Sequence, residues 1–293
     1  MNNIAKILIG VLLGLQFACN NSDTNNKTAG MEKIKIENQR VNIEYDDSKI
    51  GDTVLLFIHG FGIDKNYWTN QTAFFSKIYR VVALDLPGFG QSGKNRNSWT
   101  VEDFGKDVST VLTKLDLKNV ILIGHSMSGA IALETALNNP TRIIGVVGVD
   151  NFKNFGMVVT PQLKEQQANI YKAARTDFKK TISEYVNQAL LAPSTDTIIR
   201  KRVLNDMTNT DSTIGVNCME QGDKYPINEK LKLLKKTLYL INSDLTPTDT
   251  LGFKKDNIDY DLFNIGSTGH YPMLEKPNDF NLLLQQAIDK IKK

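Results

Sequence analysis

The amino-acid sequence predicts an α/β fold, a mostly parallel central sheet flanked by helices and interrupted by a helical insertion. Three observations predict it. Short, almost wholly apolar runs recur at Thr53–Ile58, Tyr79–Leu84, Val120–Ile123 and Ile143–Val149, as expected of strands covered on both faces by helices. Several end abruptly in turn-forming residues, and amphipathic stretches of helical spacing lie between the later ones. Repeated strand-helix-strand order of this kind places ligands at the carboxyl ends of the strands. At 293 residues the chain can bury one large core, so one domain with an insertion is expected.

Taken in order, Glu32–Glu37 and Arg40–Tyr45 alternate polar and apolar residues and predict an antiparallel hairpin at the sheet edge. The strand Thr53–Ile58 runs into His59-Gly60-Phe61-Gly62. Tyr79–Leu84 runs into Asp85-Leu86-Pro87-Gly88-Phe89-Gly90-Gln91-Ser92, whose glycines and proline force a compact turn. Apolar residues at Val101, Phe104, Val108, Val111, Leu112 and Leu115 predict a helix with one face on the sheet. After Val120–Ile123, a helix is expected from Met127 to Asn138, stopped before Pro140, and then the strand Ile143–Val149 with Asp150 at its end. From Asn151 to about Lys224 the rhythm becomes helical, in Leu163–Ala174, Phe178–Leu191 and Thr197–Met207. Leu238–Ile241 resumes the sheet, Leu262–Ile265 supplies a last short strand, and Phe280–Ile291 is an amphipathic closing helix. The expected division is a leader at 1–18, a tether at 19–31, a core at 32–150 and 225–293, and an insertion at 151–224.

The stretch with most chemical content is Gly124-His125-Ser126-Met127-Ser128-Gly129. A serine flanked by small residues two places away on either side, between a buried strand and a helix, fits a strained strand-to-helix elbow that exposes a nucleophile. Gly124 and Ser128 fill the flanking positions; glycine is usual at the second. A second frame centred on Ser128 also satisfies the spacing, but the strand abuts Gly124 directly, which favours Ser126.

The His59-Gly60-Phe61 loop, the Asp85–Ser92 turn, the elbow at Ser126 and Gly269-His270-Tyr271-Pro272 near the end occur together in one order. In that set and order the chain resembles serine hydrolases of the α/β-hydrolase fold, from Lys33 onward. The resemblance implies a helical cap at the insertion whose apolar faces line the substrate pocket. It implies His270 as general base, because a Gly-His turn after the last strand brings the imidazole over the nucleophile. It implies backbone amides of Phe61 and Met127 as oxyanion donors. Chain order of serine, acid and histidine favours Asp244 as the acid, although Asn242-Ser243 stands where the family usually has glycine; Asp150 and Asp249 are the alternatives. His59 is expected to brace its loop, and His125 to border the site.

The chemistry follows from these residue types. A serine hydroxyl needs a hydrogen-bonded base to accept its proton during attack, and the base needs a carboxylate to fix its tautomer. The expected activity is hydrolysis of a carboxylic ester, or an amide, of a small or medium apolar substrate through an acyl-enzyme on Ser126. Acyl transfer or perhydrolysis at the same site and a non-catalytic, lipid-anchored binding protein are the alternatives. Serine at the elbow argues against the haloalkane dehalogenase and epoxide hydrolase branches, which place aspartate there. The His59 loop lacks the glycine-proline pattern of proline iminopeptidases. No cofactor or metal is implied.

A net charge of +3, spread without a basic stripe, argues against nucleic acid as a partner. Asn3–Ala18 is a short apolar segment with one cation, too short for a comfortable membrane span, and it resembles a secretory signal. Leu15-Gln16-Phe17-Ala18-Cys19 resembles a bacterial lipoprotein box with its leucine displaced by one, and Asn20–Thr28 resembles a polar tether. The expectation is a lipid on Cys19 and a place in the bacterial cell envelope, at a membrane surface or in the periplasm. Cys218 is then left without a disulfide partner and is read as a packed apolar residue.

Overall fold

A computed structural model describes residues 32–38 and 41–293. The expected signal segment and Cys19 tether lie outside the described residues. Among the described residues, eight strands form one sheet: β1 (Glu32–Asn38), β2 (Val41–Asp47), β3 (Val54–Ile58), β4 (Arg80–Leu84), β5 (Val120–His125), β6 (Ile143–Val149), β7 (Leu238–Ser243) and β8 (Tyr260–Gly266). Their spatial order is β1-β2-β4-β3-β5-β6-β7-β8. The β1–β2 hairpin is antiparallel and β2 joins β4 antiparallel. All pairings from β4 through β8 are parallel. The fold class therefore agrees with the sequence reading.

The helices are α1 (Thr69–Phe75), α2 (Val101–Lys114), α3 (Ser128–Asn138), α4 (Pro161–Thr176), α5 (Phe178–Tyr185), α6 (Thr197–Thr208), α7 (Ser212–Lys224), α8 (Ile227–Leu231), α9 (Leu251–Lys255), α10 (Pro272–Glu275) and α11 (Pro277–Ile291). Strand side chains alternate between faces, and an apolar run fills both. Leu56, Ile58, Val120 and Leu122 pack in the cluster with Phe104, Val108 and Leu112 of α2, and with Ile131 of α3. Leu55, Phe57, Ile121 and Ile123 pack on the other face with Phe75 of α1, and with Phe280, Leu284 and Ile288 of α11. The apolar spacing of α2 meets the sheet as predicted, and Thr100 caps it by accepting a hydrogen bond from the Asp103 amide at 3.1 Å. Such a cap contributes about 1 kcal/mol.

Five helices, α4 to α8, occupy the chain between β6 and β7, the first four of them in the stretch where the sequence rhythm is helical. Two differences carry meaning. The single helix expected over Phe178–Leu191 is α5 followed by a π-helical turn, Val186–Leu190. That turn sends the Leu190 carbonyl to the His270 amide at 2.8 Å. The short helices α1, α8, α9 and α10 show too little period to read in the sequence, and α7 is set by the Asp211 carboxylate, which accepts from the Thr213 and Ile214 amides.

The β5–α3 elbow follows from what fits. Ser126 has φ +53°, a left-handed conformation that costs a non-glycine residue about 1–3 kcal/mol. A Cβ on Gly124 would stand 2.2 Å from the Ser128 carbonyl oxygen, which is backbone and cannot step aside. Gly124→Ala is therefore expected to lower stability by about 3 kcal/mol, the upper range for overpacking, read as a fall in the thermal unfolding midpoint.

Candidate active site

The sharp turn after β5 points Ser126 into a cavity of about 490 Å³ at the carboxyl end of the sheet. His270, Phe61, Met127 and His125 line the same cavity, so the predicted nucleophile, base and both oxyanion residues converge there. Neither the Phe61 nor the Met127 amide is taken up by the turn and loop hydrogen bonds of the described residues. Gly60 lets the loop approach, since a Cβ on it would meet His125 Nδ1 at 2.7 Å and Ser126 Cβ at 3.1 Å.

Ser128, the departure from the usual glycine, has a defined part. It is fully buried, and its hydroxyl donates to the His59 carbonyl at 2.5 Å, tying the elbow to the β3 loop. That bond also removes Ser128 as the nucleophile of the second frame. His59 spends both ring nitrogens on bracing: Nδ1–H donates to the Gly60 carbonyl at 2.7 Å, and Nε2 accepts from the Leu86 amide at 2.9 Å. Burial is the main influence on it and lowers its pKa. Burial, followed by the neighbouring His270, pushes His125 down to about 3. Neutral His125 donates from Nε2 to the His270 carbonyl at 2.8 Å.

The carboxylate that pairs with His270 is Asp150, which corrects the expectation that Asp244 does. Asp150 Oδ2 lies 2.5 Å from His270 Nδ1, and Asp150 is 4% exposed. Burial by itself would raise its pKa; the hydrogen bond and charge of His270, together with Lys153, hold it well below the usual carboxylate range. Asp150 is therefore the acceptor and His270 Nδ1–H the donor, and in the neutral imidazole this tautomer leaves the lone pair on Nε2. Asp244 is exposed and accepts from Asn264 Nδ2 at 2.6 Å, on the β8 side. A register irregularity between Asn242 and Ser243 ends the regular β7–β8 ladder just before it. Asp249 accepts from the Leu251 amide at 2.8 Å at the start of α9.

Three further residues support the pair and carry little signal in the sequence. Asp150 has φ +50°, which turns its carboxylate across the end of β7, where Ser243 N–H donates to Oδ1 at 2.8 Å. Asn151 Nδ2 donates to the Gly124 carbonyl at 2.8 Å and the Ser126 carbonyl at 3.3 Å, so the turn after β6 steadies the elbow. Lys153 Nζ reaches Asp150 Oδ1 at 2.7 Å. A lysine three residues beyond a strand-end aspartate was the available clue, but only the neighbouring strand end makes it meaningful. The His270 loop is fixed from its other side, where Glu275 Oε2 accepts from the Gly269 amide and the Thr195 hydroxyl, each at 3.0 Å.

The rest of the cavity wall is largely apolar and comes in part from the insertion, which contributes Phe152, Ile182, Leu190, Met207 and Met219. Cys218 also lines it, buried and free, its thiol pushed up to about 12 by burial.

Residues 53–277 match the family described as alpha/beta hydrolase fold. The chain belongs to that family. It is an enzyme, and its relatives and structural neighbours are named for several related chemistries. The pimeloyl-[acyl-carrier protein] methyl ester esterase of Legionella pneumophila (strain Corby) is 27% identical over 256 residues, covering 85% of this chain and all of that protein. The dihydrolipoyllysine-residue acetyltransferase component of the acetoin cleaving system of Cupriavidus necator is 26% identical over 254 residues, 85% of this chain and 67% of that one. The corresponding Pseudomonas putida component is 39% identical over 93 residues, 25% of its length. Among solved structures, a thermophilic esterase from Thermogutta terrifontis superposes with a TM-score of 0.76 at 19% identity, over 89% of this chain and 100% of that one. These neighbours share the fold.

Replacing each aspartate by asparagine separates the two candidates. Asp150→Asn is expected to lower kcat on a short-chain aryl ester by about 10³–10⁴-fold, the cost of a wrongly held tautomer, and Asp244→Asn to leave it within about three-fold. Steady-state kinetics on both variants check this.

Proposed function

We propose that the protein is a serine hydrolase that cleaves a carboxylic ester of a small or medium apolar substrate through an acyl-enzyme on Ser126. The observation that carries this reading is the Asp150–His270 hydrogen bond beside a strained serine in one apolar cavity. Ser126 Oγ attacks the carbonyl carbon as His270 Nε2 takes the hydroxyl proton, and Asp150 stabilises the imidazolium that forms. The carbonyl oxygen becomes an oxyanion facing the Phe61 and Met127 amides. Removing one such donor typically costs about 10²–10³-fold in rate. Collapse expels the alcohol, protonated by His270. Water then attacks the acyl-serine with the same imidazole as base, releasing the carboxylic acid and free Ser126.

The helices between β6 and β7 act as the cap in this reading. Their apolar contribution to the wall favours a hydrocarbon acyl or alcohol group, because each buried methylene contributes about 0.8 kcal/mol. Catalysis uses no cofactor. At the N-terminus we propose cleavage before Cys19, lipidation of that residue and residence at the cell envelope, supported by Leu15–Cys19 and the polar run after it.

A fluorophosphonate probe is expected to label the intact protein and to leave Ser126→Ala unlabelled, with ester turnover lost in the same variant. Absence of labelling, or equal labelling of the variant, overturns the assignment. For the anchor, Cys19→Ala is expected to move the protein from the membrane to the soluble fraction, read by fractionation.

A further inference from the structure

Lys153 is held more closely than a surface lysine. The left-handed residues Asp150, at φ +50°, and Phe152, at φ +52°, turn the chain back so that the Lys153 side chain lies over the acid. Its ammonium has three donors, and three acceptors meet it: Asp150 Oδ1 at 2.7 Å, the Ser243 carbonyl at 3.0 Å and Ser243 Oγ at 3.1 Å. The lysine side chain is 10% exposed and the aspartate 2%, so solvent screens their charges little.

A purely mechanical part is already filled by others. The ends of β6 and β7 are joined by the Asp150 amide to the Ile241 carbonyl at 3.0 Å, and by Asn242, which accepts from the Asn151 amide and donates to its carbonyl. What Lys153 adds is a positive charge on the carboxylate that serves His270.

We propose that Lys153 is a positioning residue of the Asp150–His270 pair, whose ammonium offsets the buried carboxylate and keeps the His270 imidazole free to accept a proton at lower pH. The inference rests on the reading of Ser126, His270 and Asp150 given above. A cation near a base disfavours the base's own cationic form, and a carboxylate favours it. With the lysine in place the carboxylate still fixes the tautomer through Nδ1, while its pull on a second proton at Nε2 is reduced.

The other titratable groups around the pair do not supply this charge. From β5, His125 is kept neutral by burial, and from the β3 loop His59 is lowered for the same reason. Tyr271, beside His270, is a phenol raised by burial, and Tyr185 of the insertion is a half-exposed phenol. Glu275 is held by Gly269 and Thr195. Among the described residues, Lys153 is the one lysine or arginine in ion-pair contact with Asp150.

The test is the pH dependence of kcat/KM for a short-chain aryl ester in wild type, Lys153→Met, Lys153→Gln and Lys153→Arg. The acidic limb of Lys153→Met and Lys153→Gln is expected to move up by about one pH unit, the lower end of the effect of a charge at this range. Activity then falls about ten-fold further below wild type on that limb than on the plateau. Lys153→Arg, which keeps the charge, is expected to restore the wild-type limb. An unmoved limb, with or without a lower plateau, overturns the proposal and leaves the lysine a brace. If both neutral variants fail to fold while Lys153→Arg folds, the charge serves folding, and the proposal is likewise overturned. Failure of the underlying reading is distinct: Asp150→Asn or Ser126→Ala would then retain turnover.

Discussion

A carboxylate sealed from water must be matched by donors, and the way Asp150 meets that requirement sets the rest of the site. The group is 2% exposed in its side chain, and its two oxygens receive the Ser243 amide, the Lys153 ammonium and His270 Nδ1–H. Burying a charge without such partners costs several kcal/mol. Each donor comes from a different segment, so β7, the turn after β6 and the loop after β8 are brought to one point. Asn151, the next residue, carries the same organisation back to the elbow through the Gly124 and Ser126 carbonyls.

Much of the fold was legible because strands buried on both faces leave continuous apolar runs and α2 leaves a clear amphipathic stripe. The elbow, the His59 loop and the Gly269-His270 turn were legible for a related reason: each needs small residues where backbones approach closely, as Gly60 and Gly124 show. The acid was not. Asp150 and Asp244 both end strands, and local sequence does not say which carboxylate crosses to a histidine 120 or 26 residues away. Non-local hydrogen bonds decide it. The unusual Asn242-Ser243 was nonetheless informative, since those residues serve Asp150 and its neighbour Asn151 at the positions where glycine is usual. The π-helical turn was equally hidden, because the partner of its Leu190 carbonyl is the amide of His270, 80 residues away.

Ser128 shows how a departure from a pattern can add a connection. Glycine at this position would allow the same turn but would leave the His59 carbonyl without the hydroxyl it now receives. With serine there, the turn at Ser126 and the loop bearing Phe61 form one hydrogen-bonded unit. Donors arranged during folding require no rearrangement at the moment of reaction, which is the condition under which fixed dipoles stabilise developing charge best.

The Leu190 carbonyl that accepts from the His270 amide has a wider consequence. Segments that choose a substrate are commonly treated as interchangeable modules set on an indifferent scaffold. In this protein the helical insertion and the loop bearing His270 share a main-chain bond. A transplanted insertion, however well shaped for a new ligand, would have to present a carbonyl at that one point, so drift in the insertion is constrained by the loop beneath it.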